Sequence, residues 1–448
     1  MTGILQRTWA SRSVIMTSNF RPESQSRRLL LQDAARLEDV ELKHQRIARF
    51  LESAGADALL LQDPANIAWA TAGTDLSRFS GDDPAVNSTS LFITPEARLF
   101  ATNSVDSAQI FEREAFGLGF QLKQREWFQP HEALIGDLCR GRRVLADRGV
   151  PRAILSGVEI RRLRTPLTGL EVERLRMLSR VAVHAVESTA HHLRAGVTES
   201  EVAGEVSHRL LKRTVAAARI QVCADGRNER YRHWTFGETP IREFAVISCC
   251  ARRWGLHVGV TRTVCLQRVP QTLWQAYQQA VMIHATGLFF TRHGERLGEI
   301  WKKVHRIFEK FGMGSEWQLA DQGDVIGYSL REAQIKPDSD EVLETPSVAF
   351  WHPSVGPALL GDSMLCRESA NELLTTSPSW PQLSITVKGR EVQCPGILLL
   401  PGDSSTSSMS MVADHMNEDF KCPEALDEDA PSPVESVWEM RVPENVAT

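Results

Sequence analysis

Between Gly169 and Val387 the hydrophobic residues fall into one order: two helices, strands, two helices, strands. That order restricts this part of the chain to an architecture of two related α+β halves. Leu170, Leu175, Leu178, Val181, Val183 and Val186 give the stripe of a long helix that opens near Gly169 and ends near Gly196. Thr198-Glu199-Ser200-Glu201 reads as a capping box: hydroxyl and carboxylate satisfy the free amides at the start of the next helix, which carries Val202, Val206, Leu210 and Leu211. Strand-like runs follow at Phe244–Cys249 and Leu256–Leu266. Two more helices are expected at about Leu273–Thr291 and Leu297–Phe311, then strands at Ser347–Phe350, Ser363–Cys366 and Leu383–Val387. No short tandem repeat is visible.

The preceding segment reads as a smaller α/β domain. A helix is expected from about Asp33 to Ala54, a buried strand at Ala58–Leu61, a short segment from Asn66 to Gly73, and a hairpin around Pro95-Glu96. The net charge of −5 is unevenly spread: residues 403–448 hold eleven acids and two bases, and residues 1–28 hold five Arg and one Glu. The remaining 374 residues are neutral, with no basic stripe of the kind a nucleic-acid-binding core needs. The domain reading is therefore a disordered head (1–28), an α/β domain (29–165), an α+β domain (166–402) and a disordered acidic tail (403–448). Eight cysteines without a CxxC pair fit reduced thiols and a cytoplasmic location. No apolar run is long enough to cross a membrane, and Met1–Phe20 lacks the apolar block of a secretory leader.

Four stretches carry a resemblance to a known family. They are Asn66-Ile67-Ala68-Trp69 with Gly73; Gly196-Val197-Thr198-Glu199-Ser200-Glu201-Val202; Gly226-Arg227-Asn228 with His233; and Thr261-Arg262-Thr263. In this order they resemble the creatinase, aminopeptidase P and prolidase family. The resemblance implies a creatinase-like N-terminal domain followed by a catalytic domain with the pita-bread fold.

The same resemblance implies a dinuclear metal centre built from two Asp, one His and two Glu, which lower the pKa of a shared water. Those positions fall on Ser248, Gly259, Asp324, His352 and Gly361 in this chain, and all five ligand types have changed. No dinuclear centre, and no cofactor, is expected. His233 keeps the spacing of the family's active-site histidine, and a neutral imidazole can move a proton without a metal. Arg331 and Glu332 match positions near the substrate, where an Arg can grip a carboxylate with two hydrogen bonds. Arg262 is read as structural.

Three readings stay open: a non-catalytic protein that binds a small molecule or peptide in its groove, a metal-independent hydrolase of a small amide or amidine using His233, and a metallopeptidase with an unorthodox metal set. Thr261 stands where creatinase has a substrate-holding Glu, which weakens a creatine-hydrolase reading. The resemblance also allows a homodimer. Strand alternation adds one local expectation: His257 shares a face with Gly259 and Thr261. With Asp324, His352 and His233 it could form a mononuclear zinc set; otherwise these groups hydrogen-bond across an abandoned groove.

Overall fold

The computed structural model describes residues 26–76, 89–401 and 446–447. The head at 1–28 and the tail at 403–448 lie outside the described residues, apart from 26–28 in the first helix and 446–447, which pair in parallel with Val269 and Pro270. Helix α1 (Ser26–Ala54) begins ahead of the expected Asp33, since no Gly or Pro in 26–33 stops it. It packs on a six-stranded mixed sheet: β1 (Ala58–Leu61), β2 (Ser90–Ile93), β3 (Arg98–Asn103), β4 (Gln121–Arg125), β5 (Val144–Ala146) and β6 (Ala153–Leu155), in the order β4-β3-β2-β1-β5-β6. The central strands β1 and β2 are buried on both faces, which is why they read as unbroken apolar runs. The segment after β1 is a short helix, α2 (Pro64–Ala70). Asp63 caps it and Pro64 occupies its first turn, where the missing N–H is no loss. Helices α3 (His131–Cys139) and α4 (Gly157–Arg164) complete this half.

The second half contains helices α5 (Gly169–His191), α6 (Glu199–Leu211), α7 (Gln271–Phe290) and α8 (Leu297–Lys310). Both α5 and α6 start with a full capping box, Thr168/Glu171 and Thr198/Glu201. The sheet strands are β7 (Ala216–Ala224), β8 (Phe244–Arg253), β9 (Leu256–Leu266), β10 (Gly323–Ile326), β11 (Ala333–Gln334), β12 (Ser347–Trp351), β13 (Gly361–Cys366) and β14 (Glu372–Leu373). A hairpin, β15 (Gln382–Val387) and β16 (Arg390–Pro395), leads to β17 (Ile397–Leu400). The main path, β11-β10-β12-β13-β9-β8-β7, is antiparallel; β14 flanks β13, and β17 joins β9 in parallel.

Register assigns the two faces. Arg262, Asp362 and Trp351 share one face, because Asp362 pairs with both Val260 and Trp351. Here Arg262 meets Glu187 of α5 at 3.0 Å and Asp362 at 3.0 Å, while the Trp351 indole donates to Thr291 Oγ1 just past α7. The helices cover this face, and the opposite face is left for the groove. Arg262 is almost fully buried, in keeping with a structural role. No described helix is long and apolar enough to cross a membrane.

Two buried ionic networks join the halves. Lys43 of α1 lies 2.5 Å from Asp39 and 2.6 Å from Glu171 of α5, whose Oε1 also accepts from the Tyr328 hydroxyl at 2.6 Å. Arg164 of α4 grips Glu332 at 2.6 Å and also donates to Asn66. The Asn66–Gly73 stretch thus serves the seam: Arg174 of α5 donates to the Ala72 carbonyl at 2.7 Å.

Candidate functional site

All five positions aligned with the family's metal ligands lie on the helix-free face. Ser248 pairs with Thr261, Thr261 with Gly361, and Gly259 lies two residues from Thr261 on β9. Phe350 pairs with Ser363 on one side and Asp324 on the other, and His352 follows two residues later. Alternation does the rest.

The loop that brings His233 to this face is fixed by residues of its sequence motif. Gly226 adopts a left-handed conformation, φ 86°, and Asn228 donates to the Pro357 carbonyl at 3.0 Å. Glu199, fully buried at the start of α6, accepts from Ala224 N, Trp234 Nε1 and Gly237 N at 2.8–2.9 Å. The loop is therefore held at both ends while the His233 side chain stays 71% exposed.

Three of the five positions offer nothing to a dinuclear centre. The Ser248 hydroxyl accepts a 2.8 Å hydrogen bond from Thr261. Gly259 and Gly361 have no donor, and their space is filled: a Cβ on Gly259 would stand 2.5–2.6 Å from the Phe350 ring carbons, and one on Gly361 would collide with Thr261 and stand 3.1 Å from that ring. Phe350 is itself buried and lies 4.8 Å, centroid to centroid, from the His352 ring. The residues present do not fit two bridged metal ions.

The other two positions belong to a compact polar cluster. His352 Nε2 lies 3.4 Å from Asp324 Oδ2, and His233 Nε2 lies 3.2 Å from Asp321 Oδ1. Arg331 spans both acids, with Nε donating to Asp324 Oδ1 at 2.8 Å and Nη2 to Asp321. Burial works to raise the Asp321 carboxyl, but His352, Arg331 and His233 together hold it below its ordinary value. The hydrogen bond to Asp324 holds the Arg331 guanidinium above its own. Beside the cluster is a hollow of about 20 Å³, lined in part by Arg219, Gln221, Ser248, His233 and His352, with room for about one water.

Two expected residues lie elsewhere. His257 is buried, with both its backbone N–H and its Nδ1 on the Gly327 carbonyl, at 2.9 and 3.0 Å; it does not join the group formed by Asp321, Asp324 and His352. Glu332 is turned to the seam, where Arg164 holds both its oxygens, and this departs from the substrate-binding role implied for it. It lines a separate cavity of about 290 Å³ with Arg161 and Glu341. Asp321 and Phe350 were missed by the sequence reading. A signal for each exists: Asp321 stands three residues before Asp324, and Phe350 shares strand parity with His352.

The sequence pattern of metallopeptidase family M24 matches residues 173–368, the helices and sheet that frame this groove. Solved structures with the same fold include an Xaa-Pro dipeptidase from Bacillus anthracis: TM-score 0.64, 19% identity, covering 81% of this chain and 100% of that one. Dipeptidase PepE from Mycobacterium ulcerans gives TM-score 0.66 at 14% identity, covering 82% and 99%. The N-terminal domain of the FACT complex subunit SPT16 from Cicer arietinum gives 0.59 at 12%, covering 76% and 96%. No curated protein matches. Residues 173–368 thus carry the M24 pattern, and the fold is the α+β pita-bread architecture of the solved prolidase and aminopeptidase structures. At the positions aligned with that family's metal ligands this chain reads Ser248, Gly259, Asp324, His352 and Gly361.

Proposed function

We propose that this Xaa-Pro peptidase-like protein has lost the dinuclear centre and with it peptidase activity, and that its groove binds a small molecule or peptide without hydrolysing it. The observation that carries this reading is the Phe350 ring, which fills the space over Gly259 and Gly361 where carboxylate ligands would have to stand. A pseudoenzyme of this kind needs no cofactor. Seven described cysteines, all free and buried, support the cytoplasmic location that goes with it. The test is hydrolysis of Ala-Pro and Gly-Pro with added manganese or cobalt. No release of proline is expected, whereas turnover abolished by a chelator would refute the reading.

A second reading is favoured by one distance. His233 is held by Asp321 at 3.2 Å and its side chain is otherwise largely exposed, an arrangement suited to metal-free proton transfer. Amide or amidine hydrolysis that survives chelation and is lost in His233→Ala would establish it.

A further inference from the structure

The polar cluster has a chemistry that the binding role does not use. The ligand atoms of Asp321, Asp324 and His352 lie within 4.8 Å of one another, and His233 adjoins Asp321. A zinc tetrahedron with arms of about 2.1 Å has edges of about 3.4 Å. Two such edges are already present: His352–Asp324 at 3.4 Å and His233–Asp321 at 3.2 Å. A cation already bridges the two edges, the guanidinium of Arg331. Its side chain is 48% exposed on the loop between β10 and β11, so it can swing into solvent without disturbing the core.

We propose that Asp321, Asp324, His352 and His233 form a one-zinc site for which Arg331 is the competing internal cation. Two imidazoles and two carboxylates select a zinc-like ion over magnesium or calcium, which prefer larger all-oxygen shells. Asp324 and His352 are two of the five aligned positions whereas Asp321 and His233 are not, so this ligand set overlaps the place of a dinuclear peptidase centre without reproducing its ligands. His233 stands outside the three-residue group, so its exposed side chain turns beside Asp321 to close the shell as the fourth ligand; closed, the shell leaves no position for an activated water, in contrast to a three-ligand catalytic site. Zinc entry releases Arg331 to the groove, where its free guanidinium changes what the groove can bind.

The experiment is equilibrium dialysis of the full chain against zinc, with cobalt as a spectroscopic substitute. The wild type is expected to take up one equivalent and to show the intense visible bands of tetrahedral cobalt(II). Arg331→Gln is expected to bind roughly tenfold more tightly, because the competing cation is gone. His352→Ala loses the site; should that buried position fail to fold, Asp321→Asn provides the same test at the groove surface. No uptake by the wild type, no tightening in Arg331→Gln, or uptake retained in His352→Ala or Asp321→Asn overturns the proposal. Proline release by the zinc-loaded protein would instead leave the zinc site standing and overturn the non-catalytic reading.

Discussion

At Gly259 the absent side chain is what admits the Phe350 ring, so the two residues must be read together. Gly259→Ala should lower stability by about 1–3 kcal/mol through overpacking, and most of that loss should vanish in a Phe350→Ala background. Denaturant melts of the four-member cycle measure the coupling. His284 makes a second prediction at this scale. It is fully buried 3.6 Å from Asp362, with no hydrogen bond to either ring nitrogen among the described residues, and burial pushes its pKa down to about 4, with Asp362 acting the other way. The unfolded chain therefore binds the proton more readily. The stability associated with His284 is complete above about pH 6.5 and is lost as the pH falls towards about 4, an effect of about 3 kcal/mol. Melts between pH 7.5 and pH 4.5, taken as conditions about the window, should show a shallower acid limb in His284→Leu than in the wild type.

Elements were legible where one period dominated. Helices α5 to α8 follow their apolar stripes, and the Thr198–Glu201 box lies at the start of α6 as its spacing implies. Thr198→Ala should therefore cost about 1 kcal/mol in a thermal or urea melt, since the Glu201 amide loses its acceptor, Thr198 Oγ1. Strand β7 escaped the sequence reading. It begins on an alanine run, and its register shifts between Ala217 and Arg219, which breaks the alternation that marks a strand. The groove shows the same limit. Motif spacing located Asp324, His352 and His233, but Phe350 joins the site through the register of β10, β12 and β13, and Asp321 through the side chains of His233 and Arg331 that reach it. Glu332, adjacent in sequence to a cluster residue, is carried off to the seam by Arg164. Such partners come from distant parts of the chain, and no local pattern encodes them.

Across the whole molecule, the seam decides how the halves behave. Lys43 is fully buried between Asp39 and Glu171, and removing it strands two carboxylates away from water. Lys43→Ala should lower stability by about 3–5 kcal/mol. Calorimetry should show one cooperative transition for the wild type and a broadened or split one for the variant, because α1 would no longer be tied to α5. Restoring part of the loss with Glu171→Gln in the same chain would identify the uncompensated charge as the cause.

The Phe350 ring also bears on which sequence changes remain open to this chain. An aspartate introduced at Gly259 meets the ring first, whereas a smaller residue introduced at Phe350 leaves a void worth about 3–5 kcal/mol. Native proteins hold only about 5–15 kcal/mol in reserve, so either first step drains a large part of it. Acquiring the two-metal ligand set is thus barred at the single-mutation level by packing, and variants of this chain will more readily elaborate the present groove than build that centre.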